Sequence, residues 1–500
     1  MRILLDTNII IQRENNQIVP ENLAELMKLF NGLENCSLHI HPLTQAELKK
    51  DKHLLRQEIN ISKSNTYSIL DKTPDYLKDE VYISKLPTPK NENDIVDNQL
   101  LYCIYKNICT YLITEDQGIL NKASKLDIEN VLSINEAINA FKKLFTNYNI
   151  TLSNDFELKK AFELNHKDEI FDSLRNSYNG FDKWWNKIQN RDTYVHFNQN
   201  GAISAILIPK IEENEIICNS PITIKGKILK ICTFKVANHA RGFKLGERLI
   251  DLAIKFACKN NLEEIYLTHF IEENDYLVNL IESFGFKRIG LNANNEDVFL
   301  KQITANKSTS ITNADEVVDY NNTYYPAFYQ GNTVKKHLIP IQPEFHKRLF
   351  PDSKGDVYQL GLNLFNYSES NCIKKAYICN ANTTKVNKGD ILLFYQSKER
   401  MALTTLCTVQ NVYSKMTDPE LVSKLIAKRT VFNFNEIKKI CEKEALVLLF
   451  NENFHLKKEI KLNELPKLNI TGNIYSIREI TDEQYRELIK GNIDERYTIN

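Results

Sequence analysis

Short apolar runs alternate with stretches of helical periodicity over the first 145 residues. Ile3–Leu5, Leu38–Ile40, Tyr111–Ile113 and Val131–Leu132 read as buried strands, and Ala24–Phe30 and Asp97–Tyr105 carry helical patterns between them. That alternation predicts an α/β sheet, largely parallel, over residues 1–145. Ser64–Asn93 is polar and holds three prolines, which predicts a loose helix and a loop.

A second α/β pattern occupies residues 150–303. Tyr194–Phe197 and Ile203–Pro209 flank Asn198-Gln199-Asn200-Gly201, a hairpin signal. A strand over Leu229–Val236 leads through a glycine-containing turn into an amphipathic helix, Gly246–Asn260. A further strand, Glu264–Thr268, is followed by a helix ending at Gly285. Ile303–Tyr325 is rich in Thr, Ser, Asn and Asp and reads as a linker. Over 326–500 the β-rich runs Ala376–Ile378, Asp390–Tyr395, Thr404–Tyr413 and Ala445–Leu449 predict a mostly β barrel with a few helices. The expectation is therefore an α/β multidomain protein with domains at 1–145, 150–303 and 326–500.

Length supports this division, because 500 residues exceed one ordinary core. Lys+Arg and Asp+Glu are equal at 64 each, so net charge gives no hint of nucleic acid, although a local basic surface remains compatible with neutrality. The ten cysteines are scattered, with no Cys-x-x-Cys pair, which excludes a zinc ribbon or dithiol redox motif. The N-terminus does not read as a signal peptide, and no apolar run approaches the ~18–20 residues that span a bilayer. These features predict a reducing, cytoplasmic setting without membrane partners.

Candidate chemistry begins with acids. Asp6 sits where the strand Ile3-Leu4-Leu5 stops, and Asp116 just past Tyr111-Leu112-Ile113-Thr114. Ligands bind beyond the carboxyl ends of strands in open α/β sheets. Glu47 and Asp97 each fall in the first turn of a predicted helix, facing the same end. Four carboxylates at one spot repel unless a cation joins them, and hard oxygen ligands suit Mg²⁺ or Mn²⁺. Simpler roles exist for each: Thr44-Gln45-Ala46-Glu47 is a capping box, Asp94 and Asp97 complement a helix dipole, and Asp116 is a turn residue before Gly118. Taken in order, Leu5-Asp6-Thr7-Asn8, Glu47, Asp97-Asn98-Gln99-Leu100 and Thr114-Glu115-Asp116 closely resemble the PIN domain family over roughly residues 1–140. The resemblance implies metal-dependent RNA cleavage with Asp6, Glu47, Asp97 and Asp116 as catalytic metal ligands. Asp94 is an accessory or a competitor for Asp97's place, and Thr7, Asn8 and Thr114 are supports. By family analogy the role is that of a toxin, or of a stress or antiviral nuclease.

Arg241-Gly242-Phe243-Lys244-Leu245-Gly246 lies between a strand and a helix, where backbone amides form a natural pyrophosphate site. With the later run Asn274-Asp275-Tyr276-Leu277-Val278-Asn279-Leu280-Ile281-Glu282-Ser283-Phe284-Gly285-Phe286, it resembles GNAT acetyltransferases over about 165–303. The resemblance implies acetyl-CoA, with Val236, Arg241, Gly242, Phe243, Lys244, Leu245, Gly246 and Asn274 as cofactor-binding positions. Two departures stand out. Lys244 occupies the place of the turn's usual first glycine. Ile281 occupies that of a tyrosine which protonates the leaving thiolate, and isoleucine donates no proton. A degenerate domain that holds a partner or a CoA ester without turnover is the other reading.

Gly389-Asp390-Ile391-Leu392-Leu393-Phe394-Tyr395 and Leu403–Tyr413 read as neighbouring strands of a small barrel. With His337-Leu338-Ile339-Pro340-Ile341, His346-Lys347-Arg348-Leu349-Phe350-Pro351 and Lys428-Arg429-Thr430-Val431, they resemble the PUA-like superfamily in its ASCH and EVE branches. That resemblance implies RNA, tRNA included, or a modified base as ligand. RNA readers stack bases on aromatics and bind phosphates with Arg and Lys, which makes Arg348, Tyr395, Ser397, Lys398 and Arg429 candidates. The simpler reading is that Tyr395 is a core aromatic and the charges are solvated. The combined expectation is a Mg²⁺- or Mn²⁺-dependent endoribonuclease with an acyl-CoA-binding middle domain and an RNA-recruiting C-terminal domain. The rivals are an acetyltransferase of RNA or protein whose other domains hold the substrate, and a non-catalytic RNA-binding scaffold.

Overall fold

Every strand of the first sheet is short and apolar. In the computed structural model β1 (Arg2–Leu5), β2 (Ser37–Ile40), β3 (Ser68–Ile69), β4 (Tyr111–Ile113) and β5 (Val131–Leu132) lie in the order β3-β2-β1-β4-β5, with every pairing parallel. Ile3, Leu4 and Leu5 of the central strand are fully buried, as continuous apolar runs are in a sheet covered on both faces. The two-residue edge strand β3 falls in the stretch expected to be helix and loop. The structure describes residues 1–14, 20–31, 36–51, 67–71, 73–145, 156–198, 201–219, 226–237, 244–272, 275–351, 372–381, 385–426 and 429–500, with isolated positions at 33, 57, 60, 61, 64, 240 and 383.

The longer helices of this unit are α1 (Thr7–Glu14), α2 (Glu21–Asn31), α3 (Pro42–Leu48), α4 (Glu92–Tyr105), α5 (Gln117–Lys125) and α6 (Ile134–Phe145), and a single helical turn, Glu80–Ile83, falls in the stretch Ser64–Asn93 where a loose helix was expected. Two begin earlier than expected. Pro42 opens α3, and His41 caps it by accepting the Leu43 N–H at 3.1 Å. Proline suits a first turn, where its missing N–H is not needed, so it displaces the capping box expected at Thr44. Asn91 caps α4 by accepting the Asp94 N–H at 2.9 Å. Glu47 thus lies in the last turn of α3, and Asp97 beyond the first turn of α4.

The chain divides into two compact units. The first comprises Met1–Tyr148, Asn274–Tyr276 and Asp418–Glu442; the second comprises Asn149–Glu273, Leu277–Thr417 and Lys443–Asn500. A helical pair, Pro419–Ile426 and Phe434–Cys441, therefore packs with the first unit although it lies within residues 326–500. Val422 and Ile426 are fully buried, the Tyr111 and Ser423 hydroxyls lie 3.4 Å apart, and the Arg429 Nε is 2.6 Å from Glu129.

The second unit holds two sheets. One runs β11-β12-β10-β9-β8-β7-β6, from β6 (Glu157–Lys160), β7 (Asp192–Phe197), β8 (Ile203–Glu213), β9 (Lys227–Val236), β10 (Glu264–His269), β11 (Lys287–Leu291) and β12 (Asp297–Gln302). Its pairings are antiparallel except β9 with β10, which α9 (Leu245–Lys259) connects; α7 (Asp172–Ser177), α8 (Phe181–Lys187) and α10 (Tyr276–Glu282) complete the layer. Residues 303–325 are not a plain linker. Asn313 caps α11 (Ala314–Thr323), which buries Val317 and Tyr320, their spacing of three placing both on one face.

The other sheet runs β15-β18-β17-β16-β14-β19, built from β14 (Lys336–Ile341), β15 (Lys374–Cys379), β16 (Ile391–Gln396), β17 (Ala402–Met416), β18 (Ala445–Lys461) and β19 (Arg478–Ile480). β13 (Phe328–Tyr329) pairs separately with β20 (Thr498–Ile499), and α12 (Pro343–Leu349) and α13 (Asp482–Ile489) flank the sheet. Only β14 with β16 is parallel among its described pairings.

Candidate functional site

The strands β9 and β10 pair through Leu229, Lys230 and Ile231 only, although β9 continues to Val236 and β10 to His269. At the point of separation β9 carries an extra residue: Ile208 opposes Thr233 and Pro209 opposes Ile231, which leaves Cys232 bulged. A bulge bends its strand and re-aims neighbouring groups. Two parallel strands that part at a bulge leave backbone N–H and C=O groups facing a gap, into which an extended ligand can fit.

The chain crosses from that gap into α9. Lys244 precedes the helix with φ of +57°, the left-handed region that glycine adopts at no cost. The lysine thus keeps a glycine-like backbone, at a strain of about 1–2 kcal/mol. Its side chain offers no cap; its Nζ lies 3.4 Å from the Glu247 carboxylate. The first N–H groups of a helix have no intrahelical acceptor and favour an anion. Leu245 is buried in the core, and Val236 packs half-buried against it. Gly246 has a different reason from the expected one: a Cβ there would meet Leu280 Cδ2 at 2.7 Å, so it permits close packing of α9 on α10. Arg241, Gly242, Phe243 and Asn274 lie outside the described residues. Ile281 is fully buried among Phe284 and Phe286, so that position supplies no acid.

The first unit brings the acids towards one end of its sheet. Asp6 accepts from the Thr7 N–H at 2.6 Å, Asn8 Nδ2 at 2.7 Å and Thr114 Oγ1 at 2.6 Å, and Glu47 accepts from Thr7 Oγ1 at 2.5 Å. Burial pushes the Asp6 carboxyl up to about 7, against its hydrogen bonds and with help from the charges of Asp97 and Glu47. Burial also raises Asp97 to about 6; Asp116 and Asp94 add to the shift and Lys122 opposes it. Lys122 Nζ lies 3.0 Å from Asp94 and 3.4 Å from Asp97. Asp116 caps α5 by accepting the Ile119 N–H at 3.0 Å. A cation beside Asp6 and Asp97 would favour their ionised forms. Among the described residues, however, no three carboxylates, histidines or cysteines stand close enough together to hold a metal ion.

The five RNA-binding candidates differ in their surroundings. Tyr395 is a core residue, because β16 is buried on both faces. Arg429 belongs to the first unit, where Glu129 holds it. Arg348 is largely buried over the Phe345 ring at 4.6 Å, with Glu344 at 3.6 Å. Ser397 donates to the Ile341 carbonyl at 3.1 Å, and Lys398 sits in a left-handed turn with φ of +63°. Lys428 lies outside the described residues.

A buried polar chain that the sequence did not suggest lies along the six-stranded sheet of the second unit. β17 carries Thr404 as an extra residue between the partners of Phe394 and Tyr395, so Thr404 and Thr405, neighbours in a strand, bring their hydroxyls within 3.2 Å. Thr404 meets His346 Nε2 at 2.8 Å, Thr405 meets His455 Nδ1 at 3.0 Å, and Glu452 lies 2.9 Å from His455 and 2.5 Å from Lys375. Burial alone would raise Glu452, but Lys375 and His455 hold its carboxyl well below the usual range; burial lowers His346 to about 3. The bulge brings the two hydroxyls together, and it leaves no sequence signal here.

The Acetyltransferase (GNAT) family matches residues 158–286, the segment that contains the parted strands and the first turn of α9. Among solved structures the chain is similar to arylalkylamine N-acetyltransferase 2 from Aedes aegypti, at 13% identity over 30% of this chain and 100% of that one, with a TM-score of 0.22. It is also similar to Arabidopsis thaliana NAA60 in complex with acetyl-CoA, at 15% identity over 30% and 98% with a TM-score of 0.23. An ASCH protein from Zymomonas mobilis aligns at 12% identity over 31% and 94%, with a TM-score of 0.24. None of the curated proteins compared with the chain matches it. All ten cysteines are free thiols, and no described helix is long and apolar enough to cross a membrane.

Proposed function

We propose that the protein is an acetyl-CoA-dependent acetyltransferase of RNA or protein, in which the remaining modules hold the macromolecular acceptor. One observation carries this reading: two parallel strands part at the Cys232 bulge and lead into a helix N-terminus, within the segment that matches the GNAT family. The gap offers backbone groups to an extended pantetheine arm, and the first turn of α9 offers N–H groups to a pyrophosphate. In the transfer, an acceptor nitrogen or oxygen attacks the thioester carbonyl carbon, the carbon–sulfur bond breaks, and the acceptor's proton passes to a base or to water. Ile281 does not assist, so the sulfur leaves as a thiolate without a tyrosine behind it. The test is calorimetry with acetyl-CoA, followed by transfer of labelled acetyl to RNA and to protein. Binding without transfer reduces the domain to a CoA-ester sensor.

The acids favour a second reading, a Mg²⁺- or Mn²⁺-dependent ribonuclease of PIN type. Its support is the parallel order β3-β2-β1-β4-β5 with Asp6 and Asp116 at two adjacent strand ends, together with the raised Asp6 and Asp97 carboxyls. As they stand, no three of Asp6, Glu47, Asp97 and Asp116 are at metal-ligand spacing, so this reading requires the four to close around a cation. Thr7, Asn8 and Thr114 orient two of those carboxylates. EDTA-sensitive cleavage of total RNA, lost in Asp6→Asn, is its test.

A further inference from the structure

Glu247 occupies the third position of α9, where a glutamate commonly folds back to cap its own helix. Here it turns outward instead. Its Oε1 accepts the backbone N–H of Lys374, the first residue of β15, at 2.8 Å. The carboxylate is buried, with 7% of the residue exposed, and the donor comes from 127 positions further along the chain. The neighbourhood reinforces the junction. Ile373 belongs to the same apolar core as Leu249 and Ile250 of α9, and Lys374 Nζ lies 4.8 Å above the Phe284 ring. The far end of the helix is also held, because Arg496 Nη2 donates to Asn261 at 2.9 Å.

We infer that Glu247 is a positioning residue for acyl-CoA, which fastens the first turn of α9 to the backbone of β15. This rests on the acetyl-CoA reading above and goes beyond it, by making the C-terminal sheet part of the acyl-CoA site. Two opposed effects act at this residue. A carboxylate beside a pyrophosphate repels it. A carboxylate tied to the Lys374 N–H fixes the turn whose amides receive the same pyrophosphate, and the bond keeps the charge directed at β15. Lys244, 3.4 Å from Glu247, offsets part of the repulsion. The anchor outweighs the repulsion, because a charge-assisted hydrogen bond to a buried partner is worth more than a screened contact.

Glu247→Gln and Glu247→Ala separate the effects. Glutamine keeps an oxygen that accepts the Lys374 N–H and removes the charge; alanine removes both. Lys374→Pro removes the donor itself, at the first residue of an edge strand where proline is tolerated. Acetyl-CoA binding to the full chain, measured by calorimetry on variants shown by thermal unfolding to be folded, is expected to rank as follows. Glu247→Gln binds at least as tightly as wild type, while Glu247→Ala and Lys374→Pro each bind about tenfold more weakly. Combining Glu247→Ala with Lys374→Pro weakens binding no further than either alone. Glu247→Ala binding as tightly as wild type, or more tightly, overturns the inference and leaves the acetyl-CoA reading intact. Should Glu247→Ala not fold, Lys374→Pro decides in its place. No binding by wild type overturns the acetyl-CoA reading, and the positioning role with it.

Discussion

The acid cluster of the first unit and the α9 turn of the second make opposite cases for function. In the first, Asp6, Glu47, Asp97 and Asp116 lie towards one end of a parallel sheet, yet no three stand at metal-ligand spacing among the described residues. In the second, residues 158–286 match an acetyltransferase family, yet Ile281 is buried where a proton donor was expected and Lys244 replaces a glycine. Chemistry-bearing side chains alone do not outweigh a fold that positions a ligand through its backbone. Parted strands and a helix N-terminus retain their binding groups when the side chains change, whereas a carboxylate cluster depends on each member.

The largest effect concerns what holds the first unit together. Met416 and Ala445 oppose each other across β17 and β18, so residues 417–444 can be replaced by a short turn that closes the hairpin. The excision removes the buried Val422 and Ile426 from the first unit. We expect it to cost that unit several kcal/mol, about 2–5 for each large side chain lost from a core. Calorimetric unfolding with an unchanged second transition is the expected trace; an unchanged first transition breaks the division into units.

Asp6→Asn sharpens the comparison from the other side. If the second reading holds, Mn²⁺-stimulated RNA cleavage falls about 100-fold or more in this variant, since a neutral amide is a poor ligand. Acetyl-CoA binding stays at the wild-type value. Loss of both in one variant would mean that the two sites are not separate.

Ile281→Tyr tests whether the missing acid can be restored. Because Ile281 is fully buried among Phe284 and Phe286, the larger side chain overpacks the core. We expect a loss of about 1–3 kcal/mol on urea unfolding and no gain in acetyl transfer. A faster transfer with unchanged stability would place position 281 at the thioester.

A further effect is one of pH. His346 is held neutral by burial, with its acidity shifted down to about 3. The unfolded chain therefore binds one more proton than the folded one between about 3 and 6.5, and stability is lost as pH falls through that window. His346→Gln keeps a partner for Thr404 and should flatten the dependence of melting temperature on pH over the same range. An equal slope in both proteins would show that His346 does not titrate.

The strands of the first sheet were legible because Ile3–Leu5 and Tyr111–Ile113 are continuous apolar runs, and Asp6 and Asp116 fall just beyond them. Helix starts were less so, since Pro42 and Asn91 competed with equally good signals at Thr44 and Asp97. The hairpin of β7 and β8 was visible in Asn198–Gly201 and the apolar runs beside it. α11 was missed because its buried face, Val317 and Tyr320, is narrow and lies among Asn, Asp and Thr. The helical pair 419–441 could not be assigned to the first unit, because nothing local reveals which core a surface helix will join. Tyr395 illustrates a related limit. An aromatic in a strand faces either a ligand or the core, and β16 is buried along its whole length.

One measurement bears most directly on the central claim. Full-length protein is incubated with acetyl-CoA labelled in its acetyl group, together with total RNA or a protein extract, and the label is followed into each polymer. The account predicts label in one polymer, at a rate that rises and saturates with acetyl-CoA. The contradicting result is no label above the protein-free control in either polymer at saturating acetyl-CoA, with RNA instead shortened in a metal-dependent way.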